Sequence, residues 1–223
     1  MNKYPFTIDY NADIDKDIDK HFKYAYDINH DFFMIDLPQF KINIWYGRKG
    51  FNANFRFPSG SKYHANSGMK AEQPMDVMSP SILRKEMKYP TFSYAYLRML
   101  AKHEMCHRFL YQKWGKIFYP CWINEGISCL VAEQESFLDK SKDKIMPIGK
   151  IHYLKDWYKY NNYWQAYSMT KYLIEKYGKK KMDKLFFILK ETESYKIFSE
   201  KFRKIYSITP EEFEKGWLEH KDM

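Results

Sequence analysis

Five consecutive residues, His103-Glu104-Met105-Cys106-His107, set two imidazoles and a carboxylate at a spacing that suits a metal ion. On a helix, residues four apart lie about 40° apart around the axis, so both rings point the same way. Glu104 falls about 60° beyond His107, near enough to reach a water at the ion without ligating it. Neutral imidazole suits zinc, and a neighbouring carboxylate can take a proton. A catalytic zinc commonly has three protein ligands. Glu125, eighteen positions after His107 in Pro120-Cys121-Trp122-Ile123-Asn124-Glu125-Gly126, supplies the third. Without a metal, the same residues are two surface histidines and an ordinary acid near a helix N-terminus, stabilised by the dipole. The apolar flanks favour a buried helix instead, where two histidines on one face need a partner.

The elements that must position these groups follow from periodicity. Phe6 to Tyr10 alternates like a short strand, and apolar residues at helical spacing predict an amphipathic helix over about 12–30, starting at Asn11-Ala12-Asp13. Phe40 to Tyr46 is β-rich and alternating, and Met75 to Ser79, closed by Pro80, predicts a strand that could form a sheet edge. Residues 47–73 are punctuated by Gly50, Pro58, Gly60 and Gly68 and suggest short strands. From about Thr91 the pattern turns helical: Phe92 to Trp114, ended by Gly115, then about 124–134, 163–177, 179–191, 194–206 and 210–220. Residues 136–150 read as an exposed connection. Thr209, Pro210 and Glu212 form a capping-box start for the last helix. The fold class is therefore α+β: a single unit over 1–223, β-rich over about 1–90 and helical over 91–223, the latter carrying the metal site.

A chain of 223 residues with 45% hydrophobic and 19% aromatic residues can fill a core, and its 29% charged residues are well mixed. The formal charge of +9 is compatible with nucleic acid, an anionic surface or acidic substrates, yet the lysines are spread along the chain and the charge selects none of these. Three cysteines, Cys106, Cys121 and Cys129, make no disulfide framework and no Cys-x-x-Cys pair, and Cys106 is expected to face the core. The N-terminus has no apolar stretch, and neither a signal peptide nor a transmembrane segment is visible, so a cytoplasmic location is expected. His64 and His152 lack helical partners and read as structural or surface residues. The aromatic run at Trp157, Tyr158, Tyr160, Tyr163 and Trp164 reads as packing or cleft lining.

HEMCH followed by PCWINEG resembles the gluzincin zinc metallopeptidases, particularly the small peptidase-MA-like proteins with HExxH and then Trp-x-x-Glu-Gly. Tyr163 to Tyr167 running into Lys171 to Gly178 is similar to the helix that follows the metal site in that family, and Phe198 to Leu218 to its helical tail. The resemblance implies a zincin-like fold: a small N-terminal mixed sheet with helices, an active-site helix and a C-terminal helical layer. It implies Zn2+ held by His103, His107 and Glu125, and Glu104 as general base and acid in hydrolysis of a peptide or protein substrate. It also implies an oxyanion-stabilising tyrosine fifteen residues before the helix-ending Gly178, which is Tyr163, with Tyr167 one turn later as the alternative. Substrate backbone is then expected to pair with the edge strand near Met75 to Ser79. Where some gluzincins carry an Asp four residues after the third ligand, this chain has Cys129. Two other readings remain: a basic nucleic-acid-associated zinc protein, and a non-catalytic metal-binding scaffold, for which an intact Glu104 would serve no purpose.

Overall fold

A computed structural model describes residues 3–54, 64–68, 73–87, 94–115, 119–138, 144–160, 162–189 and 194–221. The chain divides into two compact units, Met1–Lys113 and Trp114–Met223. The architecture is α+β, predominantly helical with one four-stranded sheet.

The first unit holds the sheet: β1 (Phe6–Asp9), β2 (Phe40–Trp45), β3 (Ala65–Asn66) and β4 (Met75–Met78), in the order β1-β2-β4-β3. β1, β2 and β4 are parallel, while β3 runs antiparallel to β4. A parallel pair needs a crossover, and α1 (Ile18–Phe33) joins β1 to β2. One sheet face presents Phe6, Phe40, Ile42, Ile44, Met75 and Val77, all buried. On it lie α1 and α4 (Tyr94–Trp114): Tyr26 packs on Phe6 and Phe109 at centroid distances of 6.1 and 5.4 Å, and Phe33 stacks on Phe109 at 5.6 Å. Burial of each such side chain contributes about 1.5–3 kcal/mol. The fully buried Asn29 fastens α1 to α4, its amide donating to Ala25 O within its own helix and to Lys102 O at 3.1 Å. A second cluster, Phe51, Met78 and Leu83, involves α2 (Arg48–Asn54) and α3 (Pro80–Met87).

Several sequence expectations change here. The helix expected from residue 12 begins at Ile18. Residues 11–17 form turns in which Asn11 caps Asp13, because the buried Asp15 carboxylate is drawn to the Ser79 and Ser81 hydroxyls. Part of the stretch expected to give short strands, 48–54, is the helix α2, and 80–87 is the unexpected helix α3, with Pro80 at its first position. The strand at Met75–Met78 is not a sheet edge. It is flanked by β2 and by β3, which adds antiparallel with Ala65 opposite Val77, and the Met78 N–H donates to His64 O. β3 is a short strand within the stretch 47–73, as expected, and residues 55–63 and 69–72 on either side of it lie outside the described residues.

The second unit is helical: α5 (Cys121–Val131), α6 (Leu154–Tyr160), α7 (Tyr163–Tyr177), α8 (Lys179–Ile188), α9 (Tyr195–Tyr206) and α10 (Pro210–Lys221). α7, α9 and α10 sit within a residue of their expected bounds. α5 starts three residues before the expected Asn124, because Pro120 already closes the preceding turn and Asn124 N–H donates to Pro120 O. α6 was not expected, and its Trp157 is buried core. The capping box is formed: Thr209 N–H donates to Glu212 Oε2 at 2.7 Å and Glu212 N–H to Thr209 Oγ1 at 3.1 Å. α5 and α7 approach so closely that a Cβ on Gly126 would lie 2.1 Å from Thr170 Oγ1 and 2.3 Å from Ala166 O. Trp122 stacks on Phe213 of α10, and the Trp217 indole N–H donates to Ser168 Oγ. No helix among the described residues is long and apolar enough to cross a membrane.

Candidate metal centre

α4 carries the histidine pair because its sequence gives an uninterrupted helix of 21 residues with Leu97, Ala101, Met105, Phe109 and Leu110 buried. His103 is buried and His107 half-buried, and their Nε2 atoms are 3.2 Å apart. Two nitrogens each about 2.0–2.1 Å from a tetrahedral zinc ion lie about 3.3–3.4 Å apart, so the pair is already spaced as two corners of such a site. An N–H···N hydrogen bond has the same length, and the third group separates the two readings.

That group is Glu125. His103, His107 and Glu125 each offer one ligand atom, and these atoms all lie within 4.8 Å of one another. The group is largely buried and could hold a metal ion. Glu125 is the fifth residue of α5 and only 7% exposed. Stabilisation by the helix dipole fades within the first turn, so the dipole alone does not account for a buried carboxylate there. Its place is fixed by its neighbour. Gly126 lets α5 seat on the α7 backbone, which sets the rotation of α5 about its own axis. Glu104, next to His103 on α4, is half-buried.

The other residues singled out in the sequence have definite places. Tyr163 starts α7 and packs edge-on against Trp157 at 5.2 Å. Tyr167 donates its phenol to Glu135 Oε2 at 2.8 Å, and burial together with that carboxylate raises its pKa. Cys106, Cys121 and Cys129 are all buried and reduced, and none belongs to the candidate metal-binding group. Burial, and then the charge of Glu125, pushes the Cys121 thiol up. His152 is fully buried in a ring cage of Tyr119, Tyr153, Tyr195 and Phe198, at centroid distances of 4.4–5.0 Å. Burial lowers its pKa to about 3.

Two further contacts of α4 escaped sequence reasoning. The Arg108 guanidinium is buried over the Phe40 ring at 4.0 Å and donates to Ser67 O at 2.7 Å and Gln73 O at 2.8 Å. Three turns earlier, the Tyr96 phenol meets His64 Nδ1 at 2.9 Å. Burial, then the charge of Glu104, raises Tyr96 to about 12, while burial and then Arg48 lower His64 to about 4. The helix with the histidine pair thus holds the edge strand β3 at both ends, and the pair and Glu104 lie between the two attachments. The helical spacing of Arg108 from Ala101 and Met105, seven and three residues earlier, marked its burial but not its partners.

No protein-family model matches the chain, and no solved structure does. It is similar to the uncharacterized protein YhcO of Bacillus subtilis (strain 168), 29% identical over 135 residues. That match takes in 56% of this chain and 41% of the Bacillus protein.

Proposed function

We propose that the chain is a zinc peptidase of the gluzincin type, with a zincin-like arrangement of sheet and active-site helix. His103, His107 and Glu125 are its metal ligands. The carrying observation is the convergence of these three ligand atoms within 4.8 Å of one another, with Glu104 one residue from a ligand on the same helix. Two borderline imidazoles and one carboxylate form a three-ligand set that leaves a fourth position open, which is the donor chemistry of catalytic zinc.

When bound, zinc polarises a peptide carbonyl and makes water acidic enough to attack at neutral pH. The chain's own residues do the rest. The Glu104 carboxylate takes a proton from the attacking water and returns it to the leaving amine. The Tyr163 hydroxyl donates to the developing oxyanion. An extended substrate adds to the side of β3 away from β4, since β4 already pairs on both sides among the described residues. Arg108 and Tyr96 hold that strand in register with α4.

The test is Glu104→Gln. The variant is expected to keep one zinc per chain by elemental analysis while hydrolysis of a fluorogenic peptide library falls at least about 10³-fold, the scale of losing a general base. Undiminished hydrolysis removes Glu104 from the mechanism. Wild-type protein that binds zinc and cleaves nothing in the library is the non-catalytic scaffold. Protein that takes up no divalent ion ends the proposal altogether.

A further inference from the structure

We propose that the first unit carries a second site, an anion-binding cleft that takes a small ligand of the diphosphate class. The cleft has a volume of about 620 Å³ and is lined by Lys16, Asp17, Lys20, His21, Tyr24, Tyr94 and Arg98. It lies on the other side of α4 from the metal-binding pair. Arg98 and His103 are five residues apart, about 140° around the axis, and Tyr94 and His103 are nine apart, about 180°.

The lining has a charge to balance. Three cations, Lys16, Lys20 and Arg98, face one carboxylate, Asp17, which already pairs with Lys20 at 2.9 Å, leaving a surplus of two positive charges (three less one). Two more cations crowd the rings: the Arg84 guanidinium lies 5.9 Å from the Tyr94 centroid and Lys102 Nζ 5.9 Å from that of Tyr24. Asp19, the nearest further acid on α1, is paired with Lys23 at 2.7 Å. A ligand with at least two negative charges neutralises the surplus, and a guanidinium fork presented beside ammonium groups is suited to phosphoryl oxygens. The start of α1 opens onto the same cleft with no side-chain cap from Asp17, so the positive end of the helix dipole adds to the field.

The floor is preformed. His21 stacks on Tyr94 at 5.1 Å and 19°, and Arg98 sits over Tyr24 at 5.2 Å. Arg98 Nε also donates to His21 Nδ1 at 3.4 Å, an arrangement open only to the neutral ring. Burial, then the Arg98 charge, lowers the His21 pKa, with Lys20 acting in the same direction and Asp17 and Asp19 against it. An anion drawn to Arg98 cancels part of that repulsion, so occupancy must raise the His21 pKa. His21 is therefore a built-in reporter of the site.

The experiment follows the His21 ring resonances by NMR as sodium pyrophosphate is added to the full-length protein at constant ionic strength. Saturable binding with a Kd on the order of 1 mM or tighter, and an upward shift of the His21 pKa, is the expected result. Arg98→Gln should weaken binding at least about tenfold, and Lys16→Glu, at an exposed position, should act in the same direction. Lys184→Glu in the second unit should bind as wild type, and protein stripped of divalent ions with EDTA should give the same Kd, which keeps this result independent of the metal centre. A linear, non-saturating shift, or equal binding by the Arg98 and Lys16 variants, overturns the proposal. So does a single-stranded oligonucleotide that binds here with the salt dependence of several phosphates while pyrophosphate does not.

Discussion

The two helices that carry the candidate metal-binding group are built on different principles. α4 is long, with its histidine pair spaced by helical geometry alone: any unbroken helix through 103–107 brings those nitrogens together. α5 has 11 residues, nearly all buried, and Glu125 is aimed by packing, because Gly126 lets the helix lie on the α7 backbone. A ligand set by local periodicity tolerates distant change. One set by tertiary packing is only as well placed as its neighbours. Substitutions on α5 should therefore uncouple metal binding from a pair on α4 that remains intact.

The largest effect is expected at Gly126. Gly126→Ala drives a methyl group into Ala166 O, a backbone atom that cannot swing aside, and should cost about 3 kcal/mol or more. Chemical denaturation and zinc competition would record it, with zinc affinity falling at least about tenfold. Unchanged values on both would mean that α7 does not set the rotation of α5. Next is Arg108→Met on α4, which keeps the apolar stem over Phe40 but strands two carbonyls. A loss of about 2–3 kcal/mol is expected. On the proposed function, zinc affinity should stay at wild type while KM for peptides rises, and a fall in zinc affinity would erase the contrast between the two helices.

The third prediction concerns pH. His152 in the second unit has its pKa lowered from 6.5 to about 3 by burial, so the unfolded chain binds the proton more tightly than the folded one. Stability from this group is complete above about pH 6.5 and is lost progressively as pH falls toward 3, amounting to about 2 kcal/mol at pH 5. His64 in the first unit, lowered to about 4, acts in the same window with a smaller total. His152→Phe should flatten the acid limb of urea-denaturation stability between pH 7 and 5, and an unaltered limb would put the proton elsewhere. Smallest is Thr209→Ala, which opens the capping box of α10 and should cost about 1 kcal/mol, read by thermal melting.

The same division explains what was legible in the sequence. The histidine pair, α7, α9, α10 and the capping box at Thr209 rest on short-range spacing, and a one-dimensional pattern carries that information. Glu125 could be nominated from its distance to His107 and the Trp-x-x-Glu-Gly resemblance, but not its burial. β3 is two residues long: the Gly and Pro punctuation of 47–73 pointed to short strands, but its position and its antiparallel pairing with β4 had no periodicity to reveal them. The start of α1 was misplaced because Asp15 is drawn to serines more than sixty residues away. Arg108 and Tyr96 were invisible as strand holders because their partners are backbone carbonyls and a lone histidine from a glycine-punctuated loop.

Asn29 has a consequence for how this chain can vary. Its amide reaches Lys102 O, one residue before His103, inside a buried interface. It acts as a locating pin that fixes both the height and the azimuth of α4 over the sheet. A residue inserted between the two would turn every later side chain of that helix by about 100°. Divergent versions of this protein should therefore exchange side chains freely on the solvent face of α4 while keeping the length of the segment from Tyr94 to His107 invariant.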